Sequence, residues 1–109
     1  MKKKLTFSFN WNNKLDCNCF TTLRLSNRFN IGDKVEILLK EKFISQGEII
    51  GKKELQSIEL INEFIARIDT GYSAHECKQI LKTMYKNKNI DWEKQKLYLY
   101  LVKKICCTT

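Results

Sequence analysis

A hydroxyl and a guanidinium on the same face of an extended segment can grip an anion or a polar base edge from one side. The run Phe20-Thr21-Thr22-Leu23-Arg24-Leu25 has this arrangement. It is rich in β-formers, and strand alternation puts Thr22 with Arg24 on one face and Thr21, Leu23 and Leu25 on the other. The planar fork of Arg24 suits bidentate contact with a phosphate or base edge; the competing role is a structural ion pair with Asp33 or Asp69. Thr22 can orient a substrate, or attack one if a base lies within reach, or serve only as a β-former. Asp69 can act as a general base where burial raises its pKa, or pin the tight turn Asp69-Thr70-Gly71-Tyr72. Tyr72 is a loop aromatic able to stack on an unpaired base or to cover the core.

Cations repeat along a later segment. Lys78, Lys82 and Lys86 recur every four residues, with Lys88 following. At helical spacing they form a stripe that can track a phosphate backbone, or simply a solvated face. Cys17-x-Cys19, Cys106-Cys107 and His75 are the metal-ligating types, but there is no C-x-x-C pair and only 1 histidine. We therefore expect no metal site and no cofactor. An odd count of 5 cysteines argues against a disulfide framework, and the basic start MKKKLTFSFNW has no long apolar run. The expectation is reduced thiols, a cytoplasmic setting and no membrane partner.

These residues need a scaffold of limited size. A chain of 109 residues with 43% hydrophobic and 29% charged content has room for one domain, residues 1–109, with one core. With no proline and 4 glycines, a linker is not expected. The net charge of +8 favours polyanionic partners. Without the terminal Lys2, Lys3, Lys4, Lys103 and Lys104, 15 cationic side chains remain against 12 acidic ones, a balance of +3.

Period-2 alternation predicts strands over Leu5–Phe9, Phe20–Leu25, Lys34–Lys40 and about Phe43–Ile50. Trp11-Asn12-Asn13 ends the first. Gly32 serves the turn at Phe29–Asp33, Gly47 is a candidate bulge, and Gly51-Lys52-Lys53 is expected to turn the chain. Ile61, Phe64, Ile65 and Ile68 have the spacing of a short amphipathic helix. Ser73-x-x-Glu76 is a capping box opening a second helix over about Ala74–Lys86, with Cys77, Ile80, Leu81, Met84 and Tyr85 as its apolar stripe. A closing strand over Lys96–Ile105 is apolar on both faces, as expected inside a sheet or barrel. The order β-β-β-β-α-α-β predicts an α+β fold: a small, mixed, partly closed β-barrel with two helices inserted before the last strand.

Over about Phe20–Lys103, three features together resemble the ASCH domain family of the PUA-like superfold. They are the Thr22-x-Arg24 strand before Phe29-x-Ile31-Gly32-Asp33-x-Val35, the Asp69–Tyr72 passage before a helix ending in Met84-Tyr85, and the apolar closing strand. The resemblance implies a cleft beside the Thr22–Arg24 strand and a link to RNA or modified nucleosides. Some members of the family resemble RNA-binding modules and some nucleases, while one branch resembles acetylcytidine amidohydrolases that use a lysine, a threonine and an acid. In that branch the threonine corresponds to Thr22, the acid most nearly to Asp69, and the lysine position to Cys19. A thiol in place of the lysine departs from that pattern. Cys19 is itself a nucleophile only if nearby cations stabilise its thiolate. Lys14 is near in sequence, but the sequence alone cannot put its ammonium in the cleft.

The expected function is an RNA-binding or modified-nucleoside-binding module, with Thr22 and Arg24 in the cleft and Tyr72, Lys78 and Lys82 adding contacts. A small hydrolase acting on RNA or a modified nucleoside, using Thr22 and Asp69, is the first alternative. A protein–protein adaptor using Trp11 or Trp92 is the second.

Overall fold

The computed structural model describes residues 3–8 and 10–105. Phe9, Lys2, Cys106, Cys107 and the side chain of Trp11 lie outside them. Five strands are present: β1 (Lys3–Phe7), β2 (Cys19–Arg24), β3 (Lys34–Leu39), β4 (Lys42–Leu55) and β5 (Leu97–Ile105). Two helices, α1 (Glu63–Asp69) and α2 (Ala74–Met84), precede β5, and 3-10 turns cover Trp11–Asp16 and Ile58–Leu60. The element order agrees with the expectation from sequence. The strands form one mixed sheet in the order β1-β3-β4-β5-β2, with β1 parallel to β3 and the other pairs antiparallel. This sheet is not closed into a barrel, because β1 and β2 remain its two edges.

The alternation of β2 and β5 divides the core in two. Phe20, Tyr100 and Val102 face inward with Leu5, Phe7, Leu15, Phe29, Val35, Ile37 and Ile49. The opposite face presents Leu23 and Leu97 to Leu55, Ile58, Ile61, Ile65, Ala66, Cys77 and Leu81. Both faces of β5 are thus covered over its first half, which accounts for the doubly apolar sequence there, while Leu101 further along the second face is exposed. Tyr100 is fully buried and satisfies its hydroxyl twice, donating to the Ser26 carbonyl at 2.9 Å and accepting from the Phe29 N–H at 3.4 Å. That pins the 25–33 loop across the inner face. Gly32, at φ +97°, makes the sharp turn leading to β3.

Several local expectations are corrected. Gly51-Lys52-Lys53 is not a turn but part of the 14-residue β4. The irregularities lie at Ile37/Leu38 and Ile49/Gly51, not at Gly47. Gly47 is small for another reason: a Cβ there would meet Ile37 Cδ1 and Val102 Cγ1 at 3.0 Å. On α1, Phe64 and Ile68 are exposed, and Ile65, Ala66 and Asp69 are the buried positions. Helix α2 opens with the expected Ser73/Glu76 capping box and ends at Met84.

Gly47→Ala should overpack the sheet interior and lower stability by about 1–3 kcal/mol. Urea denaturation checks this; an unchanged midpoint would mean that Ile37 swings aside at no cost.

Candidate ligand-binding cleft

The edges that fail to pair make the site. Thr6 and Phe7 from β1, with Ser8 just after it, face Thr22, Leu23 and Arg24 from β2 across a cleft of about 240 Å³. Lys14 from the first 3-10 turn, Asp69 and Thr70 from the end of α1, and Ile80, Leu81, Met84 and Tyr85 from α2 and its cap complete its lining.

Local sequence explains why Lys14 is inside. Asn10 accepts the Leu15 N–H at 2.9 Å through its side chain, and Asn13 adopts a φ of +54°, a conformation asparagine tolerates. The tight turn drives Leu15 into the core and turns the neighbouring Lys14 inward, so that only 5% of Lys14 is exposed. Its ammonium donates to Asp69 Oδ1 at 3.1 Å and lies 5.4 Å from the centre of the Phe7 ring. Asp69 is also buried and sits at the negative end of the α1 dipole. Lys14 offsets that position, as does Thr21, whose hydroxyl donates to the same oxygen at 3.2 Å. Among the described residues Oδ2 has no protein partner and is not one of the enclosed, unsatisfied polar atoms. It is an acceptor on the cleft wall.

Arg24 closes the seam. Its Nη2 donates to the Thr6 carbonyl at 2.7 Å, its Nε donates to Thr22 Oγ1 at 3.0 Å, and its guanidinium lies 4.7 Å from the Phe7 ring centre. The ion pairs with Asp33 or Asp69 open to it in sequence do not form: Asp33 pairs with Lys3 and Asp69 with Lys14. Thr22 accepts from Arg24 and keeps its own proton to donate.

Burial is the largest influence on Lys14 and pulls its pKa below the usual lysine value, against the opposing pull of Asp69. Burial likewise lowers the pKa of Arg24, with Tyr85 and Asp69 opposing. Cys77, fully buried below the site, has its thiol pKa raised, first by burial and then by Asp69. The cleft therefore holds a charged fork, a lysine biased toward losing its proton, a carboxylate and a hydroxyl beside an apolar wall.

The structure thus brings Thr22, Arg24 and Asp69 together and adds Lys14, Thr21 and Phe7. It does not bring in the other candidates. Tyr72 lines a separate, shallow surface concavity with His75, Glu76, Gln79 and Ile80. Lys78 reaches Glu59 at 3.5 Å, and Lys82 borders a different concavity with Glu59, Asp91 and Trp92. These lysines leave α2 on a face away from the cleft. Cys19 is exposed at the start of β2. Trp92 is half-buried and packs edge-on against Tyr85 at 6.4 Å. Among the described residues no helix is long and apolar enough to cross a membrane.

The architecture is that of a small α+β domain with a five-stranded mixed sheet and two helices. The fold is similar to that of the crystal structure of hypothetical protein PH0355, with a TM-score of 0.71 and 13% sequence identity over 96% of this chain and 100% of that one. No family model and no curated protein matches the sequence.

Breaking the buried pair from one side should be costly: Lys14→Met or Asp69→Asn is expected to lose about 3–5 kcal/mol, while the double variant loses less than the sum. A double-mutant cycle by chemical denaturation checks this, and strict additivity would deny the coupling. The folded state holds the Lys14 proton less tightly than the unfolded chain, so unfolding takes up a proton below the ordinary value of 10.5. Wild-type stability should therefore rise relative to Lys14→Met as pH climbs through the alkaline range toward that value.

Proposed function

We propose that this chain is a nucleoside-recognising domain of the PUA-like, ASCH type, which takes an unpaired RNA base or a modified nucleoside into the cleft. The observation that supports it is the buried Lys14–Asp69 pair opposite Thr22 and Arg24 in one cleft. A volume of about 240 Å³ is below the roughly 300–1,000 Å³ of pockets for drug-sized ligands. It suits a single base or nucleoside better than a run of stacked bases. The hydrogen-bonding groups are mixed in the same way as those of a base edge. Asp69 Oδ2 accepts an N–H, the Lys14 ammonium and Arg24 fork donate to ring or carbonyl acceptors, and Thr22 does either. Phe7, Leu81, Met84 and Tyr85 offer apolar surface for the ring.

Hydrolysis of an acylated nucleoside is the second reading, and the lowered pKa of Lys14 favours it. In the resemblance to the amidohydrolase branch, the lysine role passes from Cys19 to Lys14, which reaches the same cleft from the preceding turn. A neutral Lys14 amine would take the Thr22 proton as Oγ1 attacks the amide carbonyl. It would then return that proton to the leaving amine, and water would release the acyl group from Thr22.

Titration with acetylated cytidine should give saturable binding that Arg24→Ala weakens by about tenfold or more, the size of a lost charged hydrogen bond. Equal affinity in that variant would remove the cleft assignment. If the second reading holds, acetate is released at a rate that Thr22→Ala and Asp69→Asn both abolish. Retained binding without acetate release would leave recognition alone.

A further inference from the structure

Two cations share the cleft with a single carboxylate. Lys14, Arg24 and Asp69 are the charged residues of its lining, and Asp69 is committed to Lys14. Among the described residues Arg24 has no acidic partner within ion-pair distance. Its Nε and Nη2 donate to Thr22 and to the Thr6 carbonyl, which leaves Nη1 without a protein acceptor among those residues. The Lys14 ammonium and the Arg24 guanidinium lie 5.4 and 4.7 Å from the centre of the same Phe7 ring, and the Arg24 charge disfavours the ammonium. Like charges held together in an enclosed site cost stability until an anion joins them. The cleft is short of one negative charge, beside Arg24.

Lys14 brings a second property. An amine attacks a carbonyl carbon only when neutral, and burial moves this lysine toward that form. Asp69 Oδ1 accepts from the ammonium at 3.1 Å, so the carboxylate is placed to take its proton and later to return it. Ile80, Leu81, Met84 and Tyr85 present an apolar wall, which disfavours the return of water to a condensation product.

We propose that the cleft also captures a small α-oxo acid, its carboxylate on Arg24 and Thr22 and its carbonyl carbon joined to Lys14 as an iminium. This goes beyond the nucleoside reading and does not rest on it. Asp69 takes a proton from the ammonium, and the neutral Lys14 amine adds to the carbonyl carbon. A nitrogen proton passes to the alkoxide, giving a carbinolamine. Protonated Asp69 then donates to the carbinolamine hydroxyl, which leaves as water. Ammonium and oxo acid thus give iminium and water, with nothing oxidised or reduced and Asp69 restored. The iminium and Arg24 are then matched in charge by Asp69 and the ligand carboxylate. A carboxylate attached directly to the carbonyl suits two cations that share one ring, and the apolar wall suits an alkyl side chain.

The test incubates the wild-type protein with α-ketoisocaproate and sodium cyanoborohydride, which reduces an iminium to a stable secondary amine, followed by peptide mass mapping. Lys14 should gain the mass of the oxo acid less one oxygen atom, at a rate that saturates with ligand. Exposed Lys40 serves as the internal reference for unassisted labelling. Methyl isobutyl ketone, which has a methyl group in place of the carboxylate, should lower the ratio of Lys14 to Lys40 labelling by about tenfold or more, the size of a lost charged hydrogen bond. Arg24→Gln treated with the oxo acid should lower it similarly. Thermal melting verifies that this variant folds, and the ketone comparison in the wild type carries the same point if it does not. Labelling of Lys14 no faster than that of Lys40, or a ratio indifferent to the carboxylate, overturns the proposal. Both readouts are independent of acetylated cytidine binding, so this proposal and the nucleoside reading fail separately.

Discussion

An ammonium and a carboxylate 3.1 Å apart, each almost completely removed from water, fix how the helical layer meets the sheet. Neither charge is tolerable there alone. Asp69 terminates α1, Lys14 lies in the turn between β1 and β2, and Thr21 on β2 shares the same carboxylate oxygen. One interaction therefore registers three elements that no backbone ladder joins. Apolar packing alone would tolerate sliding of α1 over Leu23 and Leu97; the pair does not, because displacement would leave a buried charge unsatisfied.

The second constraint is the open seam. A small sheet with unpaired edges is a hazard unless the edges are covered. Here the 3-10 turn and Arg24 cover them, with Arg24 bonding a β1 carbonyl that a closed barrel would have given to β2. The lining of the cleft and the protection of the edge thus share one side chain. A ligand in this cleft meets backbone edges, a cation pinned between Phe7 and Thr22, and an apolar helix face. The same enclosure that desolvates Lys14 strengthens every polar contact made inside it.

The chemistry open to this cleft depends on one proton. A lysine held near a carboxylate is a donor while charged and a base once neutral. Burial and Asp69 pull its equilibrium in opposite directions, with burial the stronger.

Local periodicity determined much of this architecture. The alternation in Phe20–Leu25, the capping box at Ser73 and the doubly apolar β5 were legible because strand pleat and helix pitch act over a few residues. The shared strand face of Thr22 and Arg24 was legible for the same reason. Lys14 was not, since nothing in a solvated-looking Asn-Asn-Lys turn marks an ammonium for burial; its partner lies 55 residues away. Nor did the spacing of Lys78 and Lys82 reveal that their face of α2 turns from the site, or the aromatic character of Tyr72 that it lines another surface. Closure was equally beyond local reading: whether five strands make a barrel or an open sheet depends on whether β1 and β2 meet. The turn between them, anchored by Leu15 and the Lys14–Asp69 pair, occupies the place where that pairing would form. Short-range sterics and hydrogen bonding are encoded residue by residue, whereas the meeting of a turn, a helix end and two strand edges is a long-range contact that only the folded chain decides.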